Sequence, residues 1–140
     1  MIRGFMLWPV FAVMFVCAVW SLELIEGNKI TTTEYYGLRN LGGGFLYYFF
    51  IIAAFLYPIA VLPLMFILHR WVRFAWLRTV LYTSLGVFVG WRIFRFLYEQ
   101  FVSQYELNAS SALIIFGLLG LLYGILDAFM AKKEARFKPA

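Results

Sequence analysis

The sequence has few charged residues. Only 14% of its 140 residues are charged, whereas 64% are hydrophobic and 21% are aromatic. Soluble globular domains contain about 25% charged and roughly 45 to 50% apolar residues. This difference excludes an ordinary soluble domain and predicts an all-α integral membrane protein.

Residues that bind metals or act as nucleophiles are also scarce. Cys17 is the single cysteine and has no disulfide partner within the chain, so we interpret it as a packing residue. His69 is the single histidine and cannot complete a three-ligand zinc site with the acids near it. We interpret His69 as a solvated residue at the membrane interface.

The motifs of the common membrane hydrolases and transferases are missing too. The sequence has no CxxC, no HExxH, no serine with a plausible His/Asp set and no acidic repeat for magnesium. We therefore predict no metal and no cofactor. These absences weigh against an enzyme without excluding one.

Long apolar runs are what the sequence does contain. A membrane-spanning helix needs about 20 residues, and the chain offers four such runs. The predicted spans are at about residues 4–25, 43–68, 75–98 and 108–130. They form one transmembrane domain over residues 1–140, with a basic tail at 131–140. Short connections favour a four-helix bundle of two helical hairpins, and Pro58 and Pro63 should distort the second span.

The basic residues predict the orientation of the bundle. Eight of the twelve lysines and arginines flank apolar runs at one end: Arg3, Arg70, Arg73, Arg78, Lys132, Lys133, Arg136 and Lys138. Short cytoplasmic loops carry such an excess, so we expect both termini to be cytoplasmic and favour a bacterial cytoplasmic membrane. A nucleic-acid reader needs a basic face on a soluble surface, so the net charge of +5 does not indicate a nucleic-acid partner.

Small residues recur at helical spacing in the third and fourth spans. Gly86 and Gly90 form a GxxxG pair, and the fourth span carries Gly117, Gly120 and Gly124. Such faces let membrane helices approach closely. An antiparallel pairing sets Gly90 against Gly117 and Gly86 against Gly120, which predicts the second hairpin. A homodimer through the same face is the open alternative.

The same register makes a prediction about charge. It sets Thr83 against Gly124 and brings Arg78 level with Asp127. We therefore predict a structural ion pair between Arg78 and Asp127 at the cytoplasmic end.

Five charged residues form a candidate polar cluster at the outer end: Glu23, Glu26, Arg92, Arg95 and Glu99. Arginines suit an anionic headgroup, a phosphate or a carboxylate, with a glutamate as base. The alternative needs no function, because both arginines can reach the membrane surface and Arg95 can pair with Glu99 four residues on.

These patterns favour a non-enzymatic accessory, regulatory or immunity-type protein. It would act through the lipid bilayer or another membrane protein. A small oligomeric transporter or channel is the second expectation. An enzyme that acts on an anionic lipid headgroup through the outer cluster is the third.

Overall fold

The computed structural model describes residues 2–27 and 42–137 of the chain. Their regular structure is entirely helical. The helices are α1 (Ile2–Leu22), α2 (Gly42–Leu56), α3 (Leu62–Trp71), α4 (Ala75–Tyr98), α5 (Val102–Tyr105) and α6 (Ala109–Phe137). A π-helical turn at Glu23–Gly27 extends α1, and a second at Tyr57–Val61 joins α2 to α3.

Four helical segments are long and apolar enough to cross a membrane, which confirms the prediction of four such helices. We call them the first to fourth spans: Ile2–Gly27, Gly43–Trp71, Ala75–Tyr98 and Ala109–Arg136. The second and fourth extend beyond the predicted residues 68 and 130. Lys138 and the connection between the first and second spans lie outside the described residues.

The second span is distorted where its prolines lie. Pro58 falls in the π-helical turn and Pro63 in the first turn of α3. Proline has no N–H to donate, which weakens regular α-helical bonding here. The turn directs Tyr57 into the core, where its hydroxyl donates to the Gly4 carbonyl over 2.8 Å.

The spans pack as two antiparallel hairpins. The first span lies along the second, and the Trp8 indole N–H donates to the Ala54 carbonyl over 3.1 Å. The third span packs along the fourth, and α1 joins the hairpins by packing on α6 as well. Aromatic rings fill the centre of this contact, with Phe15 lying edge-on to Phe116 at 5.8 Å between centroids.

The third and fourth spans pack against each other as closely as their glycines predict. A Cβ built on Gly86 would overlap the Phe116 carbonyl oxygen and lie 3.2 Å from the Gly120 Cα. A Cβ on Gly120 would overlap the Tyr82 carbonyl oxygen in turn. The predicted contact between Gly86 and Gly120 is therefore present, and neither position has room for a side chain.

Elsewhere the register differs from the predicted one by up to a turn. A Cβ on Gly124 would lie 2.9 Å from the Cα of Thr79, not beside Thr83. The prediction set small residues opposite one another. In the structure each glycine instead forms a hole that accepts backbone or side-chain atoms of the neighbouring helix.

The remaining two glycines follow the same rule. A Cβ on Gly90 would lie 2.7 Å from the Phe116 Cβ and 2.6 Å from the Ala112 carbonyl oxygen. Gly117 faces Val87, with 3.0 Å between its built Cβ and a valine methyl. The predicted contact between Gly90 and Gly117 is replaced by these two.

Candidate functional site

A carboxylate is buried inside the fourth span. Asp127 is 1% exposed, and its Oδ1 lies 3.3 Å from the Arg3 Nε. Its Oδ2 lies 3.3 Å from the His69 Nε2. Arg3 comes from the start of the first span and His69 from the end of the second, so one carboxylate joins three spans.

The interpretation of His69 as a solvated residue is wrong. Its side chain is only 19% exposed and faces Asp127. Its Nδ1 lies 2.8 Å from the Met65 carbonyl oxygen, which can only accept, so Nδ1 carries a proton. An attractive contact between Nε2 and the carboxylate then requires one more proton, on the imidazole or on Asp127.

Arg78 lies beside this group but binds differently from the prediction. Its Nη1 donates to the Val72 carbonyl over 3.2 Å, and among the described contacts Asp127 forms no ion pair with it. The two side chains are close enough to interact electrostatically. Because Gly124 lies beside Thr79, Asp127 reaches past Arg78 and turns toward the first and second spans. We call Arg3, His69, Arg78 and Asp127 the Asp127 centre.

The Asp127 centre keeps unused hydrogen-bonding capacity. All four of its side chains contribute polar atoms that are buried and have no hydrogen-bond partner in the described part of the chain. These atoms are Arg3 Nε, His69 Nε2, Arg78 Nε and both Asp127 oxygens. The charges are close but poorly aligned, so electrostatic attraction holds the centre together. Unpaired polar atoms of this kind are uncommon in protein interiors and mark a site of interest.

Three buried tyrosines lie one turn further into the bundle. The Tyr57 and Tyr123 hydroxyls are 3.3 Å apart. The Tyr82 ring stands edge-on to Tyr123 at 5.1 Å, and no described residue bonds its hydroxyl. Tyr123 precedes Asp127 by four residues and Tyr82 follows Arg78 by four, so each lies above a charged residue of the centre.

An apolar cleft opens above the tyrosines, between the second and third spans. Its volume is about 210 Å³. One wall comes from the second span and the other from the third: Leu56, Ala60, Val61 and Leu64, then Tyr82, Leu85, Gly86 and Val89. The cleft exists because the second span packs mainly on the first and the third mainly on the fourth. Ala60 and Leu85 are exposed, so the cleft opens toward the side of the bundle.

The glutamates at the opposite end join the first span to the third and fourth. Glu26 is 1% exposed and accepts the Asn108 N–H over 3.1 Å and the Ser111 hydroxyl over 2.6 Å. These bonds lie at the start of α6, where a negative charge also suits the helix dipole. Glu23 accepts a hydrogen bond from the Tyr98 hydroxyl.

The arginines at that end face outward. The Arg95 Nε donates to Glu99 over 3.1 Å, both side chains are about half exposed, and the guanidinium lies 5.2 Å from the Trp91 ring centroid. Arg92 is exposed as well. No ion pair among the described residues joins either arginine to Glu23 or Glu26. Within the predicted outer cluster, the described ion pairs thus join only Arg95 with Glu99, and an enzyme that uses these five residues gains no support.

The sequence reasoning missed Arg3 and His69. A signal for them was present, because Asp127 is the only charged residue within the apolar run at 108–130. A lone carboxylate in such a helix needs a cation from a neighbouring span. Only the rotation of the first and second spans decides which cation that is.

No three His, Cys, Asp or Glu side chains among the described residues are grouped so as to hold a metal ion. No family model matches the chain, and no curated protein or solved structure is significantly similar to it. Function is therefore inferred from the geometry alone.

Proposed function

We propose that the protein is a non-enzymatic multi-pass membrane protein of accessory or regulatory type, which acts by binding a partner within the bilayer. The cleft between the second and third spans carries this proposal. Its walls are apolar and it opens sideways at Ala60 and Leu85. Within a bilayer, a lateral opening of this kind admits either a lipid chain or a helix of another membrane protein.

We place the protein in a bacterial cytoplasmic membrane, with both termini and the Val72–Phe74 connection on the cytoplasmic side. Charge supports this orientation. The end of the bundle that holds Asp127 carries seven described arginine and lysine side chains against two carboxylates, Asp127 and Glu134. Such an excess is typical of the cytoplasmic side.

Co-isolation from native membranes tests the proposal. The tagged protein is extracted in polymer-bounded membrane discs, and every lipid and protein in the discs is quantified by mass spectrometry. We expect one lipid class or one membrane protein to be enriched over the bulk membrane. Ala60→Trp, which fills the cleft from its open side, should abolish that enrichment.

Ile59→Trp is the matched control. Ile59 is 73% exposed and does not line the cleft, so this variant adds the same indole at the neighbouring position and should keep the enrichment. Discs whose contents equal the bulk membrane, or an enrichment that survives Ala60→Trp, would refute the proposal.

A small transporter or channel is the second candidate, favoured by the buried contact between two ionisable groups, His69 and Asp127. Ionisable groups buried in a membrane commonly mark proton or ion pathways. In proteoliposomes that hold a pH-sensitive dye, a carrier should dissipate an imposed pH gradient. Asp127→Asn should abolish that flux, and wild-type vesicles that leak no faster than empty ones would eliminate this candidate.

A further inference from the structure

We propose that the cleft and the basic connection beside it form one binding site for an anionic phospholipid. Its acyl chain lies between the second and third spans, and its headgroup lies against Arg70, Arg73 and Arg78. This inference rests on the proposed function, because it names the partner that the cleft would bind.

The third span places apolar and cationic groups in the order that a phospholipid requires. Tyr82, Gly86 and Val89 line the cleft, and Arg78 lies one turn below Tyr82 on the same face. Arg78 is partly buried at this position. The Tyr82 end of the cleft therefore lies one helical turn from a guanidinium.

The second span ends at the same level. Leu64 lines the cleft, and the basic end of that span follows five to six residues later at His69 and Arg70. Three residues without helical structure, Val72–Phe74, then lead into α4. Both walls of the cleft thus end at one short basic connection.

The height of the site fits one leaflet of a bilayer. From Arg78 to Val89 is a rise of about 16 Å along the helix, and half of a hydrocarbon core is about 15 Å. A partner helix that crosses the membrane would need a groove about twice as long. The height therefore favours a lipid over a helix.

The arginines at this connection are not paired with any described carboxylate. Asp127 pairs with Arg3 and His69, whereas Arg70, Arg73 and Arg78 form no ion pair with any described carboxylate. Basic pockets between membrane helices on the cytoplasmic side bind anionic lipid headgroups. The site is thus suited to a phosphate.

Unused donors lie along the same path. Arg78 Nε is buried without a hydrogen-bond partner among the described residues, and so is the hydroxyl of Tyr82, which is 4% exposed. Arginine donors match phosphate oxygens in number and direction. Arg78 can keep its bond to the Val72 carbonyl while a second edge of its guanidinium receives the headgroup.

Native mass spectrometry of the purified full chain in a neutral detergent tests this site. The protein is titrated with phosphatidylglycerol and with phosphatidylcholine that carry identical acyl chains. We expect phosphatidylglycerol to bind at least about tenfold more tightly. Arg78→Gln should weaken phosphatidylglycerol about fivefold, because it removes one charge near the surface. It should weaken phosphatidylcholine less, because the choline already offsets the charge of the phosphate.

Three further variants keep the test decisive. Arg73 is exposed, so Arg73→Gln reports on the headgroup even if Arg78→Gln fails to fold. Ala60→Trp should weaken both lipids, because it blocks the chain. Arg95→Gln removes a charge at the opposite end and should change neither affinity.

Equal affinity for the two lipids, or an unchanged preference in both Arg73→Gln and Arg78→Gln, would overturn the inference. So would tight binding of both lipids to Ala60→Trp. If the discs instead hold a membrane protein that Ala60→Trp displaces, the lipid site is refuted while the proposed function stands. If neither a lipid nor a protein is enriched, both fail.

Discussion

The two ends of the bundle treat their charges in different ways. At the Asp127 end, a carboxylate is enclosed between the first, second and fourth spans and contacts cations from two of them. At the Glu26 end, Glu26 is equally buried, but each of its oxygens accepts a hydrogen bond, from Asn108 or Ser111, and Arg95 pairs with Glu99 at the surface. The buried carboxylate at the Asp127 end has no hydrogen-bond donor among the described residues, whereas the one at the Glu26 end has a hydrogen bond on each oxygen.

This difference bears on function. The Glu26 end attracts attention in the sequence because five charges occur there together, yet the described bonds of these charges satisfy a tyrosine hydroxyl, the start of α6 and a surface pair. The Asp127 end has one carboxylate in an apolar helix, and it adjoins the cleft. A buried carboxylate without a hydrogen-bond donor is therefore the better guide to a site here than a group of charges most of which are already bonded.

The largest effect should come from removing the enclosed carboxylate. Asp127→Ala removes the partner of His69 and leaves Arg3 only its 3.5 Å contact with the more exposed Glu134, and breaking a buried pair in this way costs about 3 kcal/mol. Unfolding by sodium dodecyl sulfate from a mild detergent, followed by circular dichroism, measures the loss. If Asp127→Ala unfolds like wild type, the enclosed centre does not hold the spans together.

A smaller effect is expected from a substitution that pushes the third and fourth spans apart. In Gly86→Ala the added methyl overlaps the Phe116 carbonyl oxygen, and overpacking of this kind costs about 2 kcal/mol. The same unfolding titration measures it. Gly44→Ala is the matched control, because a Cβ there meets nothing within 4 Å, and its stability should stay level or rise. Equal behaviour of the two variants would argue against the close hairpin.

At the Glu26 end the loss should be smaller again. Glu26→Ala removes the acceptor of the Asn108 N–H and the Ser111 hydroxyl, which should cost about 1 kcal/mol, as for the loss of a helix cap. Glu26→Gln keeps an acceptor and should recover part of it. A loss as large as that of Asp127→Ala would remove the contrast between the two ends.

The smallest effect belongs to the surface pair. Arg95 and Glu99 are about half exposed, and exposed pairs four residues apart on a helix contribute about 0.3 to 0.5 kcal/mol. A double-mutant cycle with Arg95→Ala and Glu99→Ala measures this coupling in the same titration. Coupling above about 1 kcal/mol would mean that this pair is more than a solvated contact.

Much of the fold follows from the sequence. The number of apolar helices, the distortion at Pro58 and Pro63 and the contact between Gly86 and Gly120 depend on composition and local spacing, which the sequence displays directly. The pair of Arg95 with Glu99 is equally local, since the two residues lie one turn apart on the same helix.

The partners of Asp127 could not be predicted in the same way. The first and second spans are apolar on every side, so no polar stripe shows which face turns inward. The long side chain of Arg3 can reach inward or outward from the end of α1. A shift of about one turn between the third and fourth spans then decided that Asp127 meets Arg3 and His69 instead of Arg78.

The central claim is that the site of action lies at the Asp127 end, and photochemical labelling tests it most directly. The protein is reconstituted with a phosphatidylglycerol analogue that carries a diazirine in its acyl chain. After irradiation, the labelled peptides are mapped by mass spectrometry. The account predicts adducts concentrated on the cleft walls, at 56–64 and 82–89. Adducts spread evenly over the lipid-facing surface, or concentrated near Arg92 and Arg95, would contradict it.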